Sequence, residues 1–305
     1  MPLRGKTTCS MLAICGILAF TFNASAQDGS TSAKCGFQKF TINAPAGTKP
    51  TPTDLNDNGA VAGLLGTGSG ANFRIKGFFQ SGGKFTSFNF PGARDTVPMD
   101  LTKSGVIVGS FDTTTGNGQR AFKLQNGVFR QVTIPGFPDA PAIATGVNEL
   151  GDIAGQFNGN GSDFGFLLHN GKLTILSFSG AAGGTFPTSI NNSGVIVGFY
   201  HLTEEGDVDH GFMWKAGVFT NLRTPSGGAL RPEKISDRGD IVGTYIDSNL
   251  KEHGFALDGG RFSTIDPPGS LDTKILALNN YDNILSIFST SAGNTLVKGF
   301  CSAVF

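Results

Sequence analysis

The chain has 305 residues with 23 Lys and Arg against 23 Asp and Glu, so its formal net charge is zero. It lacks the basic excess that neutralises phosphates, which argues against a nucleic-acid partner. Its 39% hydrophobic content is enough to build a core, which excludes intrinsic disorder. The 45 Gly and 27 Phe, beside a single Trp, fit many short strands joined by tight turns.

Residues 1–26 read as a secretory signal. Arg4 and Lys6 supply the positive start, Met11 to Phe22 an apolar run, and Ala24-Ser25-Ala26 the small-x-small site before Gln27. The run is too short to span a bilayer, and no second candidate follows it. Cys15 lies within it, but Leu12-Ala13-Ile14 match a lipoprotein cleavage box poorly. The expected product is exported, secreted or periplasmic, and without a membrane span. It begins with a short linker at 27–34. Cleavage removes Cys9 and Cys15, leaving Cys35 and Cys301, one near each end, as an expected disulfide.

From residue 35 to 305 the chain repeats itself six times. Each copy carries a tight turn: Leu55-Asn56-Asp57-Asn58-Gly59, Leu101-Thr102-Lys103-Ser104-Gly105, Val147-Asn148-Glu149-Leu150-Gly151, Ile190-Asn191-Asn192-Ser193-Gly194, Ile235-Ser236-Asp237-Arg238-Gly239 and Leu278-Asn279-Asn280-Tyr281-Asp282. Gly there supplies the positive φ of a hairpin turn, and Asp282 is among the few residues that tolerate it. Four residues on, Gly63, Gly109, Gly155, Gly198 and Gly243 recur, with Ser286 in the last copy. A glycine inside a strand marks a bulge or a close backbone approach, here attributed to crowding near an axis. Next comes a small residue before Phe: Gly77-Phe78, Ala121-Phe122, Gly165-Phe166, Gly211-Phe212, Gly254-Phe255 and Gly299-Phe300. A second hairpin and an outer strand follow, most ending in a breaker such as Pro91-Gly92 or Pro135-Gly136.

The period of 43 to 46 residues with four strands per unit predicts an all-β fold, one six-bladed propeller. The sixth unit runs out at Phe305 before an outer strand, while Phe40-Thr41-Ile42 near the start resembles one. The N-terminal strand is therefore expected to complete the last blade and seal the ring, stapled by Cys35 and Cys301.

His210-Gly211-Phe212 and His253-Gly254-Phe255, each following a Gly-x-Ile-Val-Gly segment, resemble the HAF-type extracellular repeat of bacterial secreted proteins. The resemblance covers most of the chain after residue 26. It implies a propeller-like secreted protein and no set activity. The motif is degenerate, its first position reading Lys76, Arg120, Phe164, His210, His253 and Lys298.

Five of those six positions are basic or His. If they converged in a closed ring, Lys76, Arg120, His210, His253 and Lys298 would form a cationic collar able to attract acidic polysaccharide. The plainer alternative is that each side chain covers a strand edge or bonds a nearby turn. Asp54 to Gly59 matches half a calcium loop, but Leu65 stands where the acidic twelfth ligand belongs. The loop from His201 to His210 gathers Glu204, Glu205, Asp207 and Asp209 in no known ligand pattern. No Gly-x-Ser-x-Gly elbow, phosphate loop, His-Glu-x-x-His or Cys-x-x-Cys is present. No catalytic residue, metal or cofactor is implied. The expectation is a monomeric binding module, with a cell-surface or matrix glycan or an envelope protein as partner. The alternatives are a lyase or hydrolase with carboxylates at the axial mouth, and a protein-interaction scaffold.

Overall fold

The computed structural model describes residues 31–32, 35–113, 118–203 and 208–301. The expected signal segment 1–26, and Glu204, Glu205 and Asp207 of the acidic loop, lie outside the described residues.

Six antiparallel sheets succeed one another along the chain, each with four strands in sequential order from the axis outward. The innermost strands are Lys49–Leu55, Ala93–Leu101, Ala142–Val147, Gly184–Ile190, Leu230–Ile235 and Thr273–Leu278. Each touches the inner strand of both neighbouring blades, which is the geometry of a closed six-bladed propeller. The fourth strand of the sixth blade comes from the other end of the chain, where Gly36–Lys39 pairs antiparallel with Gly293–Phe300. Cys35 and Cys301 stand opposite each other at its edge, disulfide-bonded. The paired strand begins earlier than the expected Phe40–Ile42 segment. Phe37 faces Gly299 as Phe129 faces Leu124 in blade 2, and the Phe40 N–H continues the ladder to the Leu296 carbonyl at 3.1 Å. Within the expected linker, Thr31–Ser32 adds a parallel strand on the outer edge of blade 5.

Every inner strand carries a register shift at the same place, at Pro52/Asp54, Pro98/Asp100, Ala144/Gly146, Pro187/Ser189, Pro232/Lys234 and Ile275/Ala277. Proline is tolerated there because the inner strand is an edge strand and the bulge spares it a ladder bond. A bulge also re-aims the next side chain, and the residue it delivers in each blade is Asp54, Asp100, Gly146, Ser189, Lys234 or Ala277.

The recurrent second-strand glycines face those bulges, and the crowding there comes from within the blade, not from the axis. A Cβ on Gly63, Gly109, Gly155, Gly198 or Gly243 would lie 2.3, 2.0, 2.1, 2.2 or 2.1 Å from a carbonyl oxygen of the adjoining inner strand. In register beside them stand Phe78, Phe122, Phe166, Phe212 and Phe255, all fully buried. The sixth blade departs from the expected alignment. Ser286 takes the glycine's place and its partner is Val297, so Gly299-Phe300 lies three residues out of register and Phe300 is half exposed. The core consists of clusters shared between adjacent blades. Leu55, Val61 and Phe78 of blade 1, for example, pack on Ala277 and Leu285 of blade 6. Each such phenylalanine contributes roughly 1.5–3 kcal/mol by leaving water.

Candidate functional site

The turn between the first and second strands does more than reverse the chain. Its Asn reaches into the next blade: Asn56 Nδ2 donates to the Thr102 carbonyl at 2.9 Å, Asn148 to Asn191 at 3.1 Å and Asn191 to Ser236 at 3.0 Å. Asn279 joins blade 6 to blade 1 through the Asn56 carbonyl at 3.2 Å, while Thr102 and Ser236 hold this position in blades 2 and 5 and bond within their own turns. A second belt runs outside the first. The Glu149, Asn192, Asp237 and Asn280 N–H groups donate to Asn192, Asp237, Asn280 and Asp57 at 2.8, 2.9, 2.7 and 2.8 Å, and the Lys103 N–H donates to Glu149. Asp57, whose turn matched half a calcium loop, is thus an acceptor in the belt. Among the described residues no group of three or more His, Cys, Asp or Glu could hold a metal ion.

The belts frame an axial cavity of about 270 Å³ lined by all six blades. At its floor, Lys234 reaches across from blade 5 to Asp54 of blade 1, at 3.1 Å, and to Asp100 of blade 2. The three residues are only 4–6% exposed. The remaining carboxylate oxygens accept the Leu101 N–H at 2.8 Å and the Val147 N–H at 2.7 Å. Burial would favour a neutral Lys234, but the two carboxylates more than reverse this and raise its pKa. Burial pushes Asp54 up to about 8, Lys234 opposes the rise and Asp100 adds to it. One lysine cannot neutralise two buried carboxylates, and a proton supplies the balance. Comparing the aligned units at this position, Asp, Asp, Gly, Ser, Lys and Ala, exposes the triad in the sequence. Comparing the turns alone does not.

The five expected collar residues are spread around the ring on third strands, two strands out from the axis. Lys76 stands opposite Leu65, Arg120 opposite Phe111, His210 opposite Tyr200 and His253 opposite Tyr245. Lys298 stands opposite Leu285, while Thr295 holds the position equivalent to the others. The geometry therefore does not bring them together at an axial mouth. His210 lies on the Tyr200 ring at 5.2 Å, and His253 on Tyr245 at 5.0 Å. Burial disfavours charge on His253, but Asp266 at 2.6 Å and Asp247 at 3.4 Å outweigh it and its pKa is raised. In the described part of the acidic loop, His201 meets Asp209 at 2.8 Å, and Asp209 also meets Arg231 at 3.4 Å.

A second depression opens on the side of the ring between blades 3 and 4. It measures about 500 Å³ and is lined by Thr174, Ile175, Ser177, Phe178, Ser179, Trp214, Gly217 and Phe219. Phe178 stacks on Tyr200 at 3.8 Å and meets Phe219 edge-on at 5.4 Å. Thr174, Ser177 and Ser179 are exposed on the rim. The lining contains no ionisable side chain. No motif in the sequence marks this groove, whose aromatics pack on the core shared by blades 3 and 4.

No family model matches the chain, and no curated protein matches it. Among solved structures it is similar to a mutant of AofleA from Arthrobotrys oligospora, with TM-score 0.50 and 13% identity over 92% of this chain and 90% of that one. It is also similar to the fucose-specific lectin from Aleuria aurantia, with TM-score 0.49 and 13% identity over 83% and 96%. A third match is the β-propeller domain of the Trilobed protease from Pyrococcus furiosus, with TM-score 0.49 and 9% identity over 83% and 96%. At these identities the likeness is one of fold, a propeller that other proteins put to different uses.

Proposed function

We propose that the chain is an exported glycan-binding module, secreted or periplasmic, built from HAF-type repeats and acting as a monomer. The observation that carries this reading is the groove between blades 3 and 4. It offers aromatic faces and free-standing hydroxyls in an open depression, the combination that suits a ligand with apolar C–H faces and a hydroxylated edge. Its volume falls in the roughly 300–1,000 Å³ range of small-molecule sites. A rigid ring closed by a disulfide presents such a groove without an ordering cost on binding. The test is a thermal-shift screen of residues 27–305 against neutral and acidic glycans, since a ligand of the folded state raises the melting temperature by mass action. A concentration-dependent rise with any glycan class supports the reading, and no rise with any glycan at millimolar concentration refutes it.

The axial floor favours a second reading, a lyase or hydrolase of the central cavity. Carboxylates there break the repeat, and Asp54 stays protonated near neutrality. Against it, all four carboxylate oxygens are already held by Lys234 and two backbone amides. Release of reducing ends or unsaturated sugars from polysaccharide, abolished by Asp100→Asn, would establish it.

A further inference from the structure

The repeat is a built-in reference, because any position can be compared with its equivalents in the other blades. At the groove two such comparisons stand out. Trp214 lies opposite Ile196. The same register position holds Gln80 in blade 1, Leu124 in blade 2, Leu168 in blade 3 and Leu257 in blade 5. The chain's single Trp is thus a departure from a Leu or Gln. Ser179 is the second departure. It follows the outer strand of blade 3 at the point where blades 1, 2, 4 and 5 place Pro91, Pro135, Pro225 and Pro268. The change exchanges an exposed proline ring for a hydroxyl.

Trp214 and Ser179 come from different blades and line the same depression. The side-chain hydroxyls of Thr174, Ser177 and Ser179 are exposed and make no side-chain hydrogen bond among the described residues, so each is available as both donor and acceptor. A neutral hydroxylated ligand needs that dual capacity. An anionic one would instead need a cation or a set of oriented N–H donors to offset its desolvation, and no lining residue is charged.

We infer that the groove between blades 3 and 4 is a subsite for a neutral saccharide, with the half-buried Phe178 and Phe219 packing against the sugar's apolar face, Trp214, only 7% exposed, lining the groove beneath them, and Thr174, Ser177 and Ser179 bonding its hydroxyls. The inference rests on the glycan-binding reading and narrows it. Acidic polysaccharide, the ligand that a cationic collar would select, is excluded from this subsite by the same electrostatics.

Trp214 is also the reporter, since its fluorescence comes from within the groove. The experiment titrates residues 27–305 with lactose, maltose, cellobiose and mannobiose, and separately with oligogalacturonate and sialyllactose. Fluorescence is followed in parallel with calorimetry. Two variants restore the residue that other blades carry and so preserve the fold: Ser179→Pro and Trp214→Leu. The expected result is binding of at least one neutral disaccharide with a change in Trp214 emission, weakened at least tenfold in both variants by calorimetry. Neutral binding unaffected by either variant overturns the subsite assignment and leaves glycan binding standing. Binding of the acidic oligosaccharides alone does the same. Binding of none of the six sugars overturns the subsite, and a blank result across the wider glycan screen removes the parent reading as well.

Discussion

The axial triad makes a signed prediction about stability and pH. Asp54 titrates near 3.8 in the unfolded chain and near 8 in the fold, where burial and Asp100 hold its proton. Below pH 3.8 both states bind that proton and the site costs nothing. Between the two values the unfolded chain has released it and the folded chain has not. Each unit of rising pH then favours unfolding by up to about 1.36 kcal/mol. Over the interval from 3.8 to 8 the loss reaches about 5–6 kcal/mol at most, because Asp54 is coupled to the charges packed against it. Asp54→Asn removes the titration and leaves Asp100 and Lys234 as a one-to-one pair. Urea unfolding, followed by Trp214 fluorescence at pH 5, 6.5 and 8, should show stability falling more steeply in the parent protein than in the variant. The difference should approach 1 kcal/mol per unit. His253 also has a raised pKa and loses its contribution as pH rises, but it is common to both proteins and cancels in the comparison. Parallel pH profiles would refute the account of a shared proton at the axial floor.

Three further outcomes follow from the geometry. Replacing both Cys35 and Cys301 by Ser releases a loop spanning 266 residues. Chain entropy sets the loss at no more than about 5–6 kcal/mol, and urea denaturation should show the variant pair unfolding at lower concentration; an unchanged midpoint would show that the seam holds without the bond. Gly109→Ala places a methyl group 2.0 Å from the Val97 carbonyl oxygen and should cost about 3 kcal/mol or more. Gly105→Ala, where φ is +86° and nothing lies within 4 Å, should cost only about 1 kcal/mol; equal losses would remove the close-approach argument. Asn191→Ala withdraws the donor to Ser236 and the acceptor for the Ser193 and Val195 N–H groups. A loss of about 2–3 kcal/mol is expected in chemical denaturation, and a loss below about 0.5 kcal/mol would reduce the belt to ordinary turn chemistry.

The blade count, the repeated turns and the pairing of the two cysteines were legible from motifs that recur along the chain. Gly59, Gly105 and Gly151 announce turns by positive φ, and Cys35 and Cys301, one near each end of the repeat array, are disulfide-bonded as expected. The sixth unit misled because its Gly299-Phe300 pair imitates the motif while the true equivalent, Leu296-Val297, has lost both letters. Local resemblance outran register there, and register is fixed by pairing across strands, which no single segment displays. The collar failed as a geometric expectation for a related reason. Symmetry guarantees that equivalent residues are evenly placed around the axis, but the radius depends on the strand that carries them, and the third strand lies too far out.

The same symmetry shows where function is best sought. A residue that recurs in five of the six blades, such as the buried Phe or the bulge-facing Gly, is accounted for by the blade. A residue that departs from its equivalents has to be explained by its own surroundings. At the axis the departures are Asp54, Asp100 and Lys234, and they satisfy one another: one ammonium and two backbone amides meet all four carboxylate oxygens. Trp214 and Ser179 do not close in this way, since Trp214 faces a depression and the Ser179 hydroxyl bonds nothing in the described protein. Such a buried triad contributes little net stability over an apolar filling of the same volume, so its retention fits a role in fixing ring register. Burial of Trp214 in the core between blades 3 and 4 serves folding, but an exposed Ser179 hydroxyl at the edge of the groove does not. Under the proposed glycan-binding reading a ligand would give the groove its partner, and a lining without ionisable side chains favours an uncharged sugar.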